Sequence, residues 1–246
     1  PLTLILPRHP EVAAVAAGGQ NSVGVRCPSH PIAQAVLHSA EALGVFGVAA
    51  PSANVFGRVS PTTAAHVAGE FGDNLCIIDG GACEVGIEST IVDCTRAAPV
   101  LLRPGVLTPQ QLSEACGVTV LTPNAPEADA PRASGTLASH YAPTAIVQLM
   151  TAADLQTTLD THSDDQATGA VAVWSRTPVQ LPDTHATRFT WQPMPASASA
   201  CAHQLFAQLR DFDAQGVSHI WVEVPPPSPE WDGVRDRLTR AATPTC

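Results

Sequence analysis

The sequence predicts an α/β protein, with a small, largely parallel sheet and covering helices on each side of one linker. Three observations lead there. Short apolar runs alternate with stretches of helical periodicity from residue 2 to about 121. The alternation stops across 122–143, and it resumes from 144 onward. Strands interleaved with helical stretches in this way build βαβ units and a sheet with helices on its faces. At 246 residues the chain has room for two ordinary cores.

Leu2–Leu6 is an apolar run of strand length, and Ser22–Arg26 is a second that stops at Cys27-Pro28. Across Pro31–Leu43 the apolar positions 32, 36, 37, 40 and 43 form one helical stripe, and Gly44 supplies the stop. Val45–Ala50 reads as a buried strand. Ser60 before Pro61 has the form of an N-cap followed by a first-turn proline, opening a helix that runs to Phe71. Leu75–Asp79, Ser89–Asp93 and Val100–Leu102 follow as strands, and Thr108 caps a helix Pro109–Cys116 that closes the domain near Leu121.

Residues 122–143 turn to Pro, Ala, Asp, Ser and Gly, which is linker chemistry. Beyond them come a strand Ala145–Met150, a helix opened by the capping pattern Thr151-x-x-Asp154, and strands Gly169–Trp174 and near Arg188–Trp191. A helix Ala198–Gln215 places Cys201, Ala202, Leu205, Phe206, Leu209 and Phe212 on one face. A strand His219–Val224 leads through Pro225-Pro-Pro-Ser-Pro229 into a last helix carrying Asp232–Arg240, and no internal repeat is evident. The predicted domains are therefore 1–121, a linker or lid 122–143, and 144–246.

Composition narrows the function classes. No apolar run approaches the ~20 residues needed to cross a bilayer. The net charge is −10, with arginine the only strong cation, so the surface repels phosphate backbones and strong direct nucleic-acid binding is not expected. The seven cysteines (Cys27, Cys76, Cys83, Cys94, Cys116, Cys201 and Cys246) are scattered without a C-x-x-C pair. They fit reduced, buried thiols of a cytoplasmic protein better than a zinc site or a disulfide framework. Gly-x-Ser-x-Gly and phosphate-loop motifs are both absent, against hydrolase and P-loop readings.

The richest segment is Ala50-Pro-Ser-Ala-Asn-Val-Phe-Gly-Arg-Val-Ser60-Pro61-Thr62. Hydroxyls, an amide and an arginine lie between a strand end and a helix N-terminus, whose free N–H groups suit phosphate. Arg26, at another strand end, can hold a carboxylate in a bidentate fork. His30 caps or packs at the helix start, Arg103 projects from the turn at Pro104-Gly105, and Glu84 reads as a solvated loop charge rather than a metal ligand.

Asn21-Ser-Val-Gly-Val-Arg26-Cys-Pro-Ser-His30-Pro31, the Ala50–Thr62 stretch, Asp79-Gly-Gly-Ala-Cys-Glu-Val-Gly86, Glu88-Ser89-Thr90-Ile-Val-Asp93 and Leu102-Arg103-Pro104-Gly105 occur in that order. Together they resemble the YrdC-like threonylcarbamoyl-adenylate synthases. The segment Gly135-Thr-Leu-Ala-Ser-His140-Tyr141-Ala142-Pro143 resembles the linker of that family's long, two-domain form. The resemblance covers nearly the whole chain. It implies a twisted mixed sheet with helices, joined by the linker to a smaller Rossmann-like parallel α/β domain.

The implied reaction joins L-threonine, bicarbonate-derived carbon dioxide and ATP into threonylcarbamoyl-AMP and pyrophosphate, for the threonylcarbamoyladenosine of tRNA. The product passes to a tRNA threonylcarbamoyl-transferase complex. No protein nucleophile is needed, and positioning and charge neutralisation suffice, with Mg2+ carried on the ATP phosphates. By resemblance Ser22, Ser52, Asn54, Ser60, Arg103 and Tyr141 contact ATP, while Arg26, Ala50 and Ser89 contact threonine. None of the protein's own side chains is assigned to a metal. The linker at His140-Tyr141 is expected to fold over the site.

Members of that family open with a threonine-containing strand and a Lys-x-Arg segment. This chain opens at Pro1-Leu-Thr-Leu-Ile-Leu6 and has no lysine. It is expected to lack the first part of its catalytic domain and, alone, to be inactive. Two other readings are a non-catalytic RNA- or ribosome-binding module, which the acidic charge disfavours, and the carbamoyl-transfer module of hydrogenase maturation, whose zinc-finger and acylphosphatase neighbours are not visible.

Overall fold

The computed structural model describes residues 1–123, 131, 133–135, 140–161, 169–182 and 188–243. Much of the predicted linker therefore lies outside the described residues. The chain divides into two compact units. The first comprises Pro1–Ala53, Thr63–Ala82 and Glu88–Thr136, and the second Asn54–Thr62, Cys83–Ile87 and Leu137–Cys246.

In the first unit, strands β1 (Leu2–Pro7), β2 (Ser22–Val25), β3 (Thr90–Asp93) and β4 (Val100–Arg103) form a sheet of order β2-β1-β3-β4. β1 runs antiparallel to β2 and parallel to β3, and β3 runs antiparallel to β4. The sheet is thus mixed, as the resemblance implies, rather than largely parallel. Successive residues of a strand face opposite ways. Leu2 and Leu4 of β1 pack with Val92, Leu101, Leu112 and Val120, while Thr3 and Ile5 face the other side, against Gly24.

Helix α3 (Pro109–Cys116) supplies Leu112 to that core. It is framed as its sequence predicts: Thr108 and Gln111 exchange capping-box hydrogen bonds, and Gly117 ends it with φ 73°. Helix α1 (Pro31–Ala42) forms at the predicted place, yet none of its residues is buried.

Three local expectations give way. Val45–Ala50 and Leu75–Asp79 are irregular and mostly exposed, not strands. An apolar run becomes a strand only where a neighbour completes its ladder, and neither run finds one among the described residues. Helix α2 (Ala64–Phe71) starts later than Ser60-Pro61, because the Thr63 hydroxyl accepts the His66 N–H and so provides the cap.

The second unit has an all-parallel sheet of β5 (Ile146–Met150), β6 (Val171–Ser175), β7 (Phe189–Pro193) and β8 (His219–Glu223), in the order β5-β8-β6-β7. Its helices are α4 (Ala152–Thr161), α5 (Ala198–Ala214) and α6 (Asp232–Ala242). Every residue of β6 is buried, as parallel strands covered on both faces are.

Leu155 and Leu159 of α4 pack on Val171, Val173, Phe189 and Trp221. The predicted face of α5 is buried residue for residue: Cys201, Ala202, Leu205, Phe206, Leu209 and Phe212. Each large apolar side chain buried this way contributes about 1.5–3 kcal/mol. At the C-terminal ends of β6 and β8 the buried Glu223 carboxylate accepts the N–H groups of Arg176 and Thr177 at 2.7 and 2.8 Å, and pairs with the Arg176 guanidinium. That satisfies a charge whose burial would otherwise be costly.

Candidate active site

In the first unit the sheet brings Thr3, Ser89 and Arg103 together. The parallel register sets Thr3 opposite Ile91, and the antiparallel one sets Ile91 opposite Arg103. The Thr3 and Ser89 hydroxyls lie 2.7 Å apart. The Arg103 guanidinium donates through Nε and one terminal nitrogen to the Ser89 carbonyl, at 3.2 and 2.9 Å, and to the Ser89 hydroxyl at 3.3 Å. Its other terminal nitrogen donates to the Ser134 carbonyl at 2.9 Å. Both Ser89 and Arg103 are 4% exposed. A buried guanidinium without acceptors would be untenable, so these carbonyls are what allow a cation there.

The turn after Arg103 is built by close approach. A Cβ on Gly105 would lie 2.5 Å from the Thr90 hydroxyl oxygen, which itself bonds the Leu107 backbone. Only glycine fits. Thr3 escapes the sequence reading, although a lone hydroxyl inside Leu2-Thr3-Leu4-Ile5 was its visible signal.

Arg26 follows directly on β2 and is exposed, with no side-chain hydrogen bond among the described residues, so its fork is open to a carboxylate. Ser22 is half-buried at the start of the same strand, while Ala50 and Ser52 are exposed in the irregular segment after Gly44. The His30 ring lies against Gly80, as packing at a helix start predicts. In the Asp79-Gly80-Gly81 turn the Asp79 carboxylate accepts the Gly81 N–H at 2.8 Å.

The remaining sequence-predicted positions belong to the second unit. The Asn54 amide donates to the carbonyls of Val55 and Arg58, and its buried Oδ1 has no partner among the described residues. Ser60 is 7% exposed, and Arg210 of α5 grips the carbonyls of Val59 and Ser60. The His203 Nδ1 meets the Glu84 carbonyl at 2.9 Å. Nearby, a Cβ on Gly86 would come within 2.4 Å of the Ala202 carbonyl.

Tyr141 is 1% exposed and has φ 62°, a left-handed conformation that costs a residue with a side chain roughly 1–2 kcal/mol. Its ring packs 5.3 Å from that of Phe206 and meets the His140 ring edge-on at 4.2 Å. The Arg237 guanidinium lies 5.5 Å over it.

Among the groups with shifted ionisation, Cys201 and Asp93 are fully buried. Burial raises the Cys201 thiol, against the attraction of Arg176, to about 12. Burial also pushes the Asp93 carboxyl up, but hydrogen bonds from the Thr95 hydroxyl and N–H and from Arg96, with the Arg96 charge, outweigh it and hold the group below the ordinary carboxylate range.

Residues 1–105 match the family profile described as telomere recombination, that of the Sua5, YciO and YrdC proteins, and residues 107–243 match that of the threonylcarbamoyl-AMP synthase C-terminal domain. The chain is 43% identical over 150 residues to a threonylcarbamoyl-AMP synthase of Pyrococcus abyssi, covering 60% of this chain and 43% of the relative. It is 33% identical over 264 residues to one of Schizosaccharomyces pombe, covering 99% of this chain and 64% of the relative. The matched stretches therefore span 43% and 64% of the length of these two curated relatives.

The fold superposes on the crystal structure of P. abyssi Sua5 complexed with L-threonine with a TM-score of 0.82, at 31% identity, over 98% of this chain and 70% of that one. A variant of the same protein, with a histidine and a tyrosine each replaced by alanine, superposes with a TM-score of 0.83 at 30% identity, over 98% of this chain and 69% of that one. With two family profiles matched end to end and the fold shared across both units, the chain belongs to the Sua5–YciO–YrdC family, in the form that carries the threonylcarbamoyl-AMP synthase C-terminal domain.

Proposed function

We propose that the protein is an L-threonylcarbamoyladenylate synthase acting in the cytoplasm. The observation that carries this reading is the Thr3–Ser89–Arg103 cluster at adjoining strand ends of the sheet whose strand β2 leads directly into an open Arg26 fork, in a fold shared with a structure holding L-threonine. Arg26 binds the threonine carboxylate in a bidentate fork, and Ser89 and Ala50 line the same substrate. Threonine's amine takes up carbon dioxide, and the resulting carbamate oxygen attacks the α-phosphorus of ATP. The bond from that phosphorus to the bridging oxygen breaks, and pyrophosphate leaves. The chain supplies orientation and donors rather than a nucleophile.

Ser22, Ser52, Asn54, Ser60, Arg103 and Tyr141 are the proposed ATP contacts. Mg2+ arrives as part of the nucleotide substrate. Arg103 serves first by fixing Ser89, since its guanidinium already holds the Ser89 and Ser134 carbonyls. The adenylate then passes to a tRNA-modifying complex.

The test is pyrophosphate release, by a protein that joins the family's Lys-x-Arg segment to this chain, with ATP, threonine and bicarbonate supplied or withheld in turn. Release that needs all three supports the synthase. RNA binding at physiological salt without threonine-dependent release would favour a non-catalytic RNA-binding module instead.

A further inference from the structure

The function proposed above uses Tyr141 but leaves unexplained why it is so tightly held, and by what. Around it, helix α6 places a side-chain network with no other evident purpose. Arg237 is fully buried, and its guanidinium stacks on the Tyr141 ring. One terminal nitrogen of Arg237 donates to Asp236 at 2.8 Å, and Asp236 also takes Nε and a terminal nitrogen of Arg240, each at 2.9 Å. The Arg240 backbone carbonyl in turn accepts the His140 N–H at 3.3 Å, and on the far side of the tyrosine the Ala142 N–H reaches the Gly57 carbonyl at 2.9 Å.

A left-handed residue that is not glycine persists only where its surroundings over-determine it. Here α6 supplies a hold on the ring and a hold on the backbone just before it, through residues that share one carboxylate. A buried guanidinium is an expensive way to fill space, because an aliphatic side chain of similar volume packs there without desolvating a charge. What the cation adds is attraction to the face of the ring, which fixes the ring's orientation.

We infer that Arg237 is a positioning residue for the reaction. Held by Asp236, it clamps the Tyr141 ring and thereby sets the His140–Tyr141 turn, so the C-terminal unit acts on catalysis through α6. This rests on the reading that the His140–Tyr141 pair serves the ATP site. Arg237 itself is assigned no substrate contact.

Tyr141 is the chain's single tyrosine, so its ring can be watched directly. In the full chain labelled with ring-¹³C tyrosine, the wild type gives one set of ring signals, displaced from those of free tyrosine and slow to flip. Arg237→Met keeps the aliphatic bulk and removes the charge. Asp236→Asn keeps Arg237 and removes its carboxylate, which covers the case that the first variant fails to fold.

Both variants are expected to move the signal toward that of free tyrosine, Arg237→Met further. Made in the chain joined to the family's Lys-x-Arg segment, each is expected to lower kcat for pyrophosphate release at least tenfold while KM for threonine stays within twofold. Arg237→Lys, which retains a cation, recovers part of both effects. An unmoved tyrosine signal in a folded variant overturns the inference. A signal that moves while kcat holds overturns Arg237's part in the reaction and locates the fault in the role assigned to the His140–Tyr141 pair. Absence of threonine-dependent release from the otherwise unsubstituted joined protein would sink the synthase reading alone, because the ring signal still reports the clamp.

Discussion

Arg26 and Arg103 share a charge and little else. Arg26 is exposed and unengaged among the described residues, so Arg26→Ala should leave stability within about 0.5 kcal/mol. Losing a charge-assisted fork should cost about 1.5–3 kcal/mol, raising the threonine Kd roughly ten- to a hundredfold by calorimetric titration. Equal weakening toward ATP would refute its assignment to the carboxylate. Tyr141→Ala removes a buried aromatic ring and should cost about 3–5 kcal/mol, readable by urea denaturation. A loss under 1 kcal/mol would mean the ring is not held as described.

Of the described cysteines only Cys201 is buried, against the expectation of buried thiols; raised to about 12, it should stay unlabelled by a maleimide at pH 8 in the folded protein, while exposed Cys27 and Cys76 react. Asp93 has a lowered folded pKa, so its contribution to stability is complete above its unfolded value of about 3.9 and fades as the pH falls through the folded one. Asp93→Asn should therefore flatten the acid limb of a stability–pH curve below about pH 4. An unchanged limb would show that Asp93 does not govern it.

Elements with their own local code were legible in the sequence. The α5 stripe and the α3 capping box needed only periodicity and a Thr-x-x-Gln pattern, and Thr108→Ala should cost about 1 kcal/mol by thermal unfolding. What depended on distant partners was not legible. Val45–Ala50 and Leu75–Asp79 have strand composition, but no residue type announces whether a neighbouring strand is there to pair. Thr63 outcompeted Ser60 as a cap because its hydroxyl reached the third N–H, a choice between two similar signals that geometry alone decides.

The site divides the same way. Arg103 and Ser89, 14 residues apart, meet because β3 and β4 run antiparallel, which the turn at Gly105 hints at. Thr3 joins them through an 86-residue separation, and Arg237 meets Tyr141 across most of the second unit. No local pattern encodes such pairs. The resemblance supplied roles for single residues but not the network that fixes them.

At the scale of the molecule, burial is uneven. β6 has no exposed residue, whereas α1 has no buried one. Local opening follows buried apolar contact, so amide exchange should be fastest in α1 and slowest in β6 and its neighbour β8. Comparable protection of α1 and β6 would contradict that ranking.

The strand order of the second unit also bears on how it is made. β8 is the last strand of the sheet in sequence, yet it lies between β5 and β6. While the chain emerges from a ribosome, β6 and β7 can pair as soon as both are out, but among the described residues β5 has no partner except a strand still to be synthesised. The sheet therefore closes by insertion rather than by growth at an edge. Until His219–Glu223 appears, β5 and the flank of β6 present unmet backbone groups to whatever is nearby. Vectorial synthesis leaves this unit open to mispairing through most of its translation, so a pause or a stop codon ahead of β8 should yield aggregates rather than a smaller folded domain.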